Sequence, residues 1–78
     1  MNEIKTLRRG HVLANCCEYG PVYCVTKGLL RLDRWNKEGL SMVQLALPGD
    51  LLGVETLCAE SYTYSITAIM PSEVKLQP

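Results

Sequence analysis

The sequence predicts an all-β protein, a small antiparallel roll or barrel of about seven or eight short strands with one short helical turn. Three observations carry this reading. Glycines at 10, 20, 28, 39, 49 and 53 divide the chain into apolar stretches of strand length. Within several of these stretches, side chains alternate at the two-residue period of a strand. The 78 residues suffice for one domain at most, so 1–78 is read as a single unit with a small core.

Taken in order, VYCV at 22–25 is rich in β-branched and aromatic residues, and LRLDRW at 30–35 alternates for most of its length. Asn36, Lys37, Glu38 and Gly39 form a polar break ending in glycine, which turns the chain back into 41–47 as a hairpin. MVQLAL at 42–47 is nearly continuous apolar sequence closed by Pro48-Gly49 and reads as a buried strand entering a turn. The segment 54–59 is the one helical piece, too short to stand without the roll around it. TYSITAI at 63–69 reads as a strand, Pro71-Ser72 breaks it, and EVKL at 73–76 alternates again.

Composition excludes several function classes. Apolar residues make up 47% and charged residues 21%, as in an ordinary globular protein. Lysine plus arginine equals aspartate plus glutamate, 8 each, so no basic field draws this segment to nucleic acid or to an anionic membrane. The cluster of Lys5, Arg8 and Arg9 reads as a solvated face. No apolar run approaches the ~18 residues of a membrane-spanning helix, and no signal sequence opens the chain.

Cys16, Cys17, Cys24 and Cys58 show neither C-x-x-C zinc spacing nor the pattern of a secreted disulfide framework, which points to a reducing cytoplasm. The adjacent pair Cys16-Cys17 reads as two small thiols in a half-buried loop or strand, with a redox switch as the other reading. His11 is the single histidine, so a cupin-like metal centre is not expected and no metal is assigned. No G-x-S-x-G elbow is present, and Asp50 after Pro48-Gly49 is a turn residue; the chain is read as a non-enzyme.

The stretch PGDLLGVETLCAESYTYSITA at 48–68 has the form of an anion cradle. A glycine before a helical turn lets the backbone approach a ligand closely, and the leading N–H groups of the turn are donors. Gly53, Val54 and Glu55 occupy those places. Tyr62 and Tyr64, two apart, face one side of a strand and read as core or interface, with an aromatic wall over a ligand as the other reading; Trp35 at the hairpin end is a partner contact or a lid on the roll.

From Arg9 onward the chain resembles the cyclic-nucleotide-binding-like sensor domain of the CRP/FNR family of bacterial transcription regulators. The likeness rests on RGHVL at 9–13, VYCVTKGLLRL at 22–32, Glu38-Gly39 and LPGDLLG at 47–53, and it covers most of the chain. It implies a double-stranded β-helix, or jelly roll, with a phosphate-binding cassette from Gly53 onward. In cyclic-nucleotide-binding members a glutamate follows the cassette glycine directly; here Val54 stands there and Glu55 comes one residue late, a rotation of about 100° on a helical turn.

Those members also carry an arginine and a small hydroxyl residue at the cassette end, and alignment back from Ser72-Glu73-Val74 puts Tyr62 and Thr63 there. No lysine or arginine lies between Lys37 and Lys75. The cassette is thus degenerate, without the bidentate cation that would pair with a cyclic phosphate. Gly53-Val54 is also similar to the nitrogen-control branch of the family in cyanobacteria, which senses 2-oxoglutarate but likewise relies on an arginine.

The expected ligand-binding set is Gly53, Val54, Glu55, Tyr62 and Thr63. The expected function is that of a ligand-sensing regulatory domain of a CRP/FNR-like regulator that does not bind cyclic AMP in the usual way. The alternative is a degenerate β-roll serving as an oligomerisation or protein-interaction module. A small anionic ligand of open identity and a homo-oligomer are the expected partners, with no nucleic-acid or membrane contact from this segment. The resemblance implies a C-terminal dimerisation helix and helix-turn-helix domain that 1–78 does not contain.

Overall fold

The computed structural model describes residues 3–77. Among these residues the chain forms β1 (Ile4–Leu7), β2 (Val12–Ala14), β3 (Val22–Lys27), β4 (Leu30–Asn36), β5 (Gly39–Ala46), β6 (Leu51–Leu52), β7 (Ser65–Ala68) and β8 (Ser72–Gln77). A single turn of 3-10 helix, Val54–Cys58, separates β6 from β7. The strands make two four-stranded antiparallel sheets, ordered β1-β8-β3-β6 and β2-β7-β4-β5. Because the chain crosses repeatedly from one sheet to the other, it winds a jelly roll, the fold that the sequence resemblance implies.

The expected hairpin forms as β4 and β5, with Asn36 opposite Gly39. The Asn36 amide locks it: its Oδ1 accepts the Glu38 N–H at 2.9 Å and its Nδ2 donates to Ser41 Oγ at 2.8 Å. Such local side-chain bonds are why asparagine favours turns. A register shift between Leu32 and Asp33 lets two successive residues of β4 face inward, and both are buried. The buried Asp33 carboxylate accepts a forked pair of bonds from Arg31, 2.7 Å from Nη2 and 3.0 Å from Nε.

Three elements depart from the sequence expectation. The 42–47 segment is not buried: along β5, Met42, Val43 and Leu45 are exposed and Ala46 alone is buried. As the edge of its sheet, β5 has one partner, β4, so apolar composition does not bring burial on both faces. The strand expected over 63–69 is shortened to β7, because the preceding residues are held by the loop on one side and the 3-10 turn on the other. The helical piece also ends one residue early, at Cys58, because Ala59 takes a left-handed φ of 61°.

Leu7, Val25, Leu30, Ile66 and Val74 are the largest fully buried side chains, drawn from both sheets. Ser72 stitches the sheets together near Gly28: its Oγ accepts the Leu29 N–H at 3.0 Å and donates to Met70 O at 2.8 Å. A Cβ on Gly28 would meet the Ser72 side chain and lie 2.6 Å from Ser72 Cα, and Gly28 has φ +92°. Gly49, at φ +98°, has nothing within 4 Å of a Cβ. Gly28→Ala is therefore expected to cost about 3 kcal/mol, the left-handed backbone plus steric overlap, against about 1–2 kcal/mol for Gly49→Ala. Urea denaturation of the two variants measures the difference, and equal losses would contradict it.

Candidate functional site

Gly53 sits at φ 81° and ψ 24°, immediately ahead of the 3-10 turn. A side chain there has no room: a Cβ would lie 2.5 Å from Tyr62 Cε1 and 3.3 Å from Pro21 O. Thr56 closes the turn on Gly53 O twice, through its N–H at 3.0 Å and its hydroxyl at 2.8 Å. The leading N–H groups, those of Val54 and Glu55, have no acceptor within such a turn.

Val54 is exposed, while Glu55 is half-buried and folds back across the cassette. Its Oε2 accepts the Thr63 N–H at 2.8 Å. The glutamate displaced by one residue in the sequence thus does a defined structural job: it latches the start of the cassette to its end. Thr63 is half-buried beside it.

Tyr62, at the position where the family resemblance puts an arginine, is buried, with 3% exposure. Its ring packs on the backbones of Gly20 and Gly53, and its hydroxyl donates to Pro21 O at 2.5 Å. The Tyr62 main chain is also held, its N–H by Glu18 O at 2.8 Å and its carbonyl by the Cys17 N–H at 2.9 Å. Tyr62 and Tyr64 do not share a strand face, since β7 begins only at Ser65.

Two concavities flank the cassette. A hollow of about 140 Å³ is lined by Gly53, Val54 and Glu55 together with Asp50, Gln44 and Tyr64 over an apolar floor that includes Leu32 and Ile66. A more open groove of about 510 Å³ is lined by Tyr62 and Thr63 with Cys16, Cys17 and Tyr19. The five expected residues are therefore divided between two concavities, joined by the Glu55–Thr63 bond. Gln44 was missed by sequence reasoning, and Tyr64, weighed as an aromatic wall over a ligand, was left out of the expected binding set. The hairpin register supplies the missing signal for Gln44, because pairing β4 with β5 sets Leu32 opposite Gln44, and pairing β4 with β7 sets Leu32 opposite Ile66.

The hollow carries two carboxylates, Asp50 and Glu55, and no cation among its lining residues. Asp50 is engaged as a turn residue, its Oδ2 accepting the Leu47 N–H at 2.8 Å. Arg34 lies over the Tyr64 ring, 5.9 Å from its centroid, and is exposed. Among the described residues no group of three or more His, Cys, Asp or Glu is arranged to hold a metal ion.

With this geometry, the profile of the cyclic nucleotide-binding domain matches residues 4–76. The chain belongs to that family. Its structure is similar to that of a CRP/FNR-family transcriptional regulator from Thermus thermophilus, at 26% identity and TM-score 0.87, over 97% of this chain and 41% of that one. It is similar too to the N-terminal domain of a transcriptional regulator from Streptomyces coelicolor A3(2), at 26% identity and TM-score 0.89, over 97% of this chain and 56% of that one. An EAL enzyme in its cAMP-bound form shares the fold, at 12% identity and TM-score 0.87, over 96% of this chain and 21% of that one. No curated protein matches the chain. The cyclic nucleotide-binding domain thus spans about half the length of these two regulators, and the same roll also occurs within an enzyme.

Burial, and then the negative charge of Tyr23, Glu55 and Glu18, push the Tyr62 phenol up to about 12. The folded state favours the protonated phenol, so this contribution to stability is whole below the ordinary tyrosine range near 10 and is lost as pH rises from there through about 12. In an ultraviolet absorbance titration Tyr62 is expected to ionise in a late step, near pH 12. Tyr62→Phe should remove that late step and cost about 1 kcal/mol through the lost bond to Pro21 O. Loss of an early step instead would overturn the assignment.

Proposed function

We propose that the chain is a ligand-sensing regulatory domain of a CRP/FNR-type transcription regulator that does not bind cyclic AMP in the usual way. The observation that carries this reading is the Glu55 carboxylate on the Thr63 N–H, in a cassette with no cationic side chain. An anion seeking that donor meets a carboxylate already there, with Asp50 close by and no cation among the lining residues; the Arg34 guanidinium lies on the Tyr64 ring. The hollow of about 140 Å³ also lies below the roughly 300–1,000 Å³ of ordinary small-molecule sites. The ligand is a small molecule held by neutral hydrogen bonds, and its entry displaces Glu55 from Thr63.

Two states then exist, one latched by Glu55 and one opened by ligand, and differential affinity for them supplies the signal. The roll at 1–78 is the sensing unit, working in the cytoplasm, and the remainder of a longer regulator reads DNA. Among the described residues no helix is long and apolar enough to cross a membrane.

The second reading, a roll used for self-association, is favoured by the exposed Trp35, Leu40, Met42 and Leu45 on the β4–β5 hairpin at a sheet edge. Thermal shift and amide NMR separate the two. Cyclic AMP and cyclic GMP are expected to leave the melting temperature unchanged; a clear rise with cyclic AMP would overturn the proposed mode. A saturable response of the Thr63 amide to one member of a panel of small uncharged metabolites supports sensing, and 2-oxoglutarate, a dianion, is expected to give none. No response to any, with a dimer whose population follows concentration, supports the second reading. Glu55→Ala should speed hydrogen exchange at Thr63 and cost about 1 kcal/mol, the half-exposed site reducing the worth of a charged bond.

A further inference from the structure

Adjacent residues on an extended strand point to opposite sides, so neighbouring cysteines do not normally bring their sulfurs together. Here Cys16 Sγ and Cys17 Sγ are 3.2 Å apart. The cause is a tight turn: the Glu18 N–H bonds to Asn15 O at 3.2 Å, and the Glu18 carboxylate accepts the Asn15 N–H at 2.9 Å. Cys16 and Cys17 are its two central residues, and Cys17 has φ 75°. A positive φ at the third position of a turn is the place that glycine or asparagine fills at low cost.

Among the described residues, the non-glycines with positive φ are Cys17 and Ala59, and both line the groove of about 510 Å³. Strained backbone of this kind concentrates at functional sites. Cys17 is exposed and Cys16 half-buried, and both thiols are free.

We propose that Cys16 and Cys17 form a vicinal dithiol site that chelates a soft trivalent centre of the arsenical class. Two sulfur bonds of about 2.3 Å, the length of a zinc–thiolate bond, spanning 3.2 Å enclose an angle of about 90°. That is the angle of a pyramidal trivalent centre and is well below the tetrahedral angle that zinc takes in closed sites. Zinc also lacks its further ligands, since no group of three suitable side chains is assembled among the described residues. An unstrained disulfide fits less well: it needs Cα atoms about 4.4–6.8 Å apart, and neighbours across a trans peptide are about 3.8 Å apart.

The chemistry balances without an oxidant. With phenylarsine oxide, each sulfur forms one bond to arsenic, the arsenic–oxygen bond breaks, and the two thiol protons leave with the oxygen as one water. Arsenic stays trivalent. Contact with the Cys17 sulfur, and then burial, hold the Cys16 thiol above its ordinary range, with Arg34 pulling the other way. Each sulfur attacks arsenic as its thiolate and its proton leaves in the water formed, so the raised Cys16 thiol slows loading without changing the product.

Loading would be felt at the cassette, because Cys17 N–H bonds to Tyr62 O and Tyr62 N–H to Glu18 O, one residue from the Glu55-held Thr63 amide.

The test treats the full chain with phenylarsine oxide, alkylates it with iodoacetamide and maps the cysteines by mass spectrometry. The expected result is one phenylarsine per chain, with Cys16 and Cys17 protected together and Cys24 and Cys58 alkylated. A dithiol should strip the adduct, while an equal concentration of a monothiol should leave it. Cys17→Gly keeps the turn and relieves the left-handed strain, so it folds, yet should lose monothiol resistance and bind at least tenfold more weakly. Protection of Cys24 or Cys58, one arsenic shared by two chains, full retention in Cys17→Gly, or a chain that forms only a peroxide-driven disulfide and takes no arsenical would each overturn the proposal.

Discussion

Tyr62 is the constraint on which the local architecture depends. Its ring fills the space left by Gly20 and Gly53, its hydroxyl reaches Pro21 O, and its main chain bonds to Cys17 and Glu18. One side chain thus fixes the loop before β3, the start of the cassette and the approach to β7. Burying a tyrosine stabilises only when its hydroxyl finds a partner, and the Pro21 carbonyl supplies it. The two glycines follow from this packing, because any Cβ at either place would collide with the ring.

The same packing explains why the cassette has its present chemistry. A residue committed to the core at this position cannot also reach into the hollow as a charged clamp. With no cation available, the free donor at Thr63 is satisfied internally by Glu55, which a one-residue displacement along the 3-10 turn has aimed back at the cassette end. With the Glu55 carboxylate on it, the Thr63 N–H is not open to an external anion. The roll needs its glycines and its tyrosine for packing, and that packing does not require a phosphate.

Much of the fold was legible because it rests on local rules. Asn36 to Gly39 has turn chemistry, and 22–25, 30–35 and 73–76 have strand composition; all of these appear where the sequence puts them. What was not legible depends on sheet order. The apolar 42–47 segment looked buried, but burial is set by whether a strand is central or at an edge, and β5 is at an edge. The short strands β1, β2 and β6 escaped because two to four residues carry too little periodicity to detect. In the site, Gly53 and Glu55 were legible as the head of a turn. The partition of the five residues between two concavities was not, because it depends on where the Tyr62 ring points.

The Asn15–Glu18 turn shows how a local violation of propensity becomes informative once the long-range contacts are known. From sequence alone two adjacent cysteines are ordinary small apolar residues, and nothing in their spacing predicts a turn. In the fold, Cys17 and Glu18 are tied to the Tyr62 main chain and the Cys16 N–H to Ser65 Oγ, so the segment cannot relax to an extended strand and Cys17 is held in a conformation better suited to glycine. A chain of 78 residues has little stability to spare. Strain in so small a domain is tolerated only where surrounding contacts over-determine the backbone, and here those contacts are the ones that also shape the cassette. The thiol pair and the hollow beside Gly53 therefore both border the Tyr62 segment, whose main chain bonds to Cys17 and Glu18 and whose neighbour Thr63 is held by Glu55.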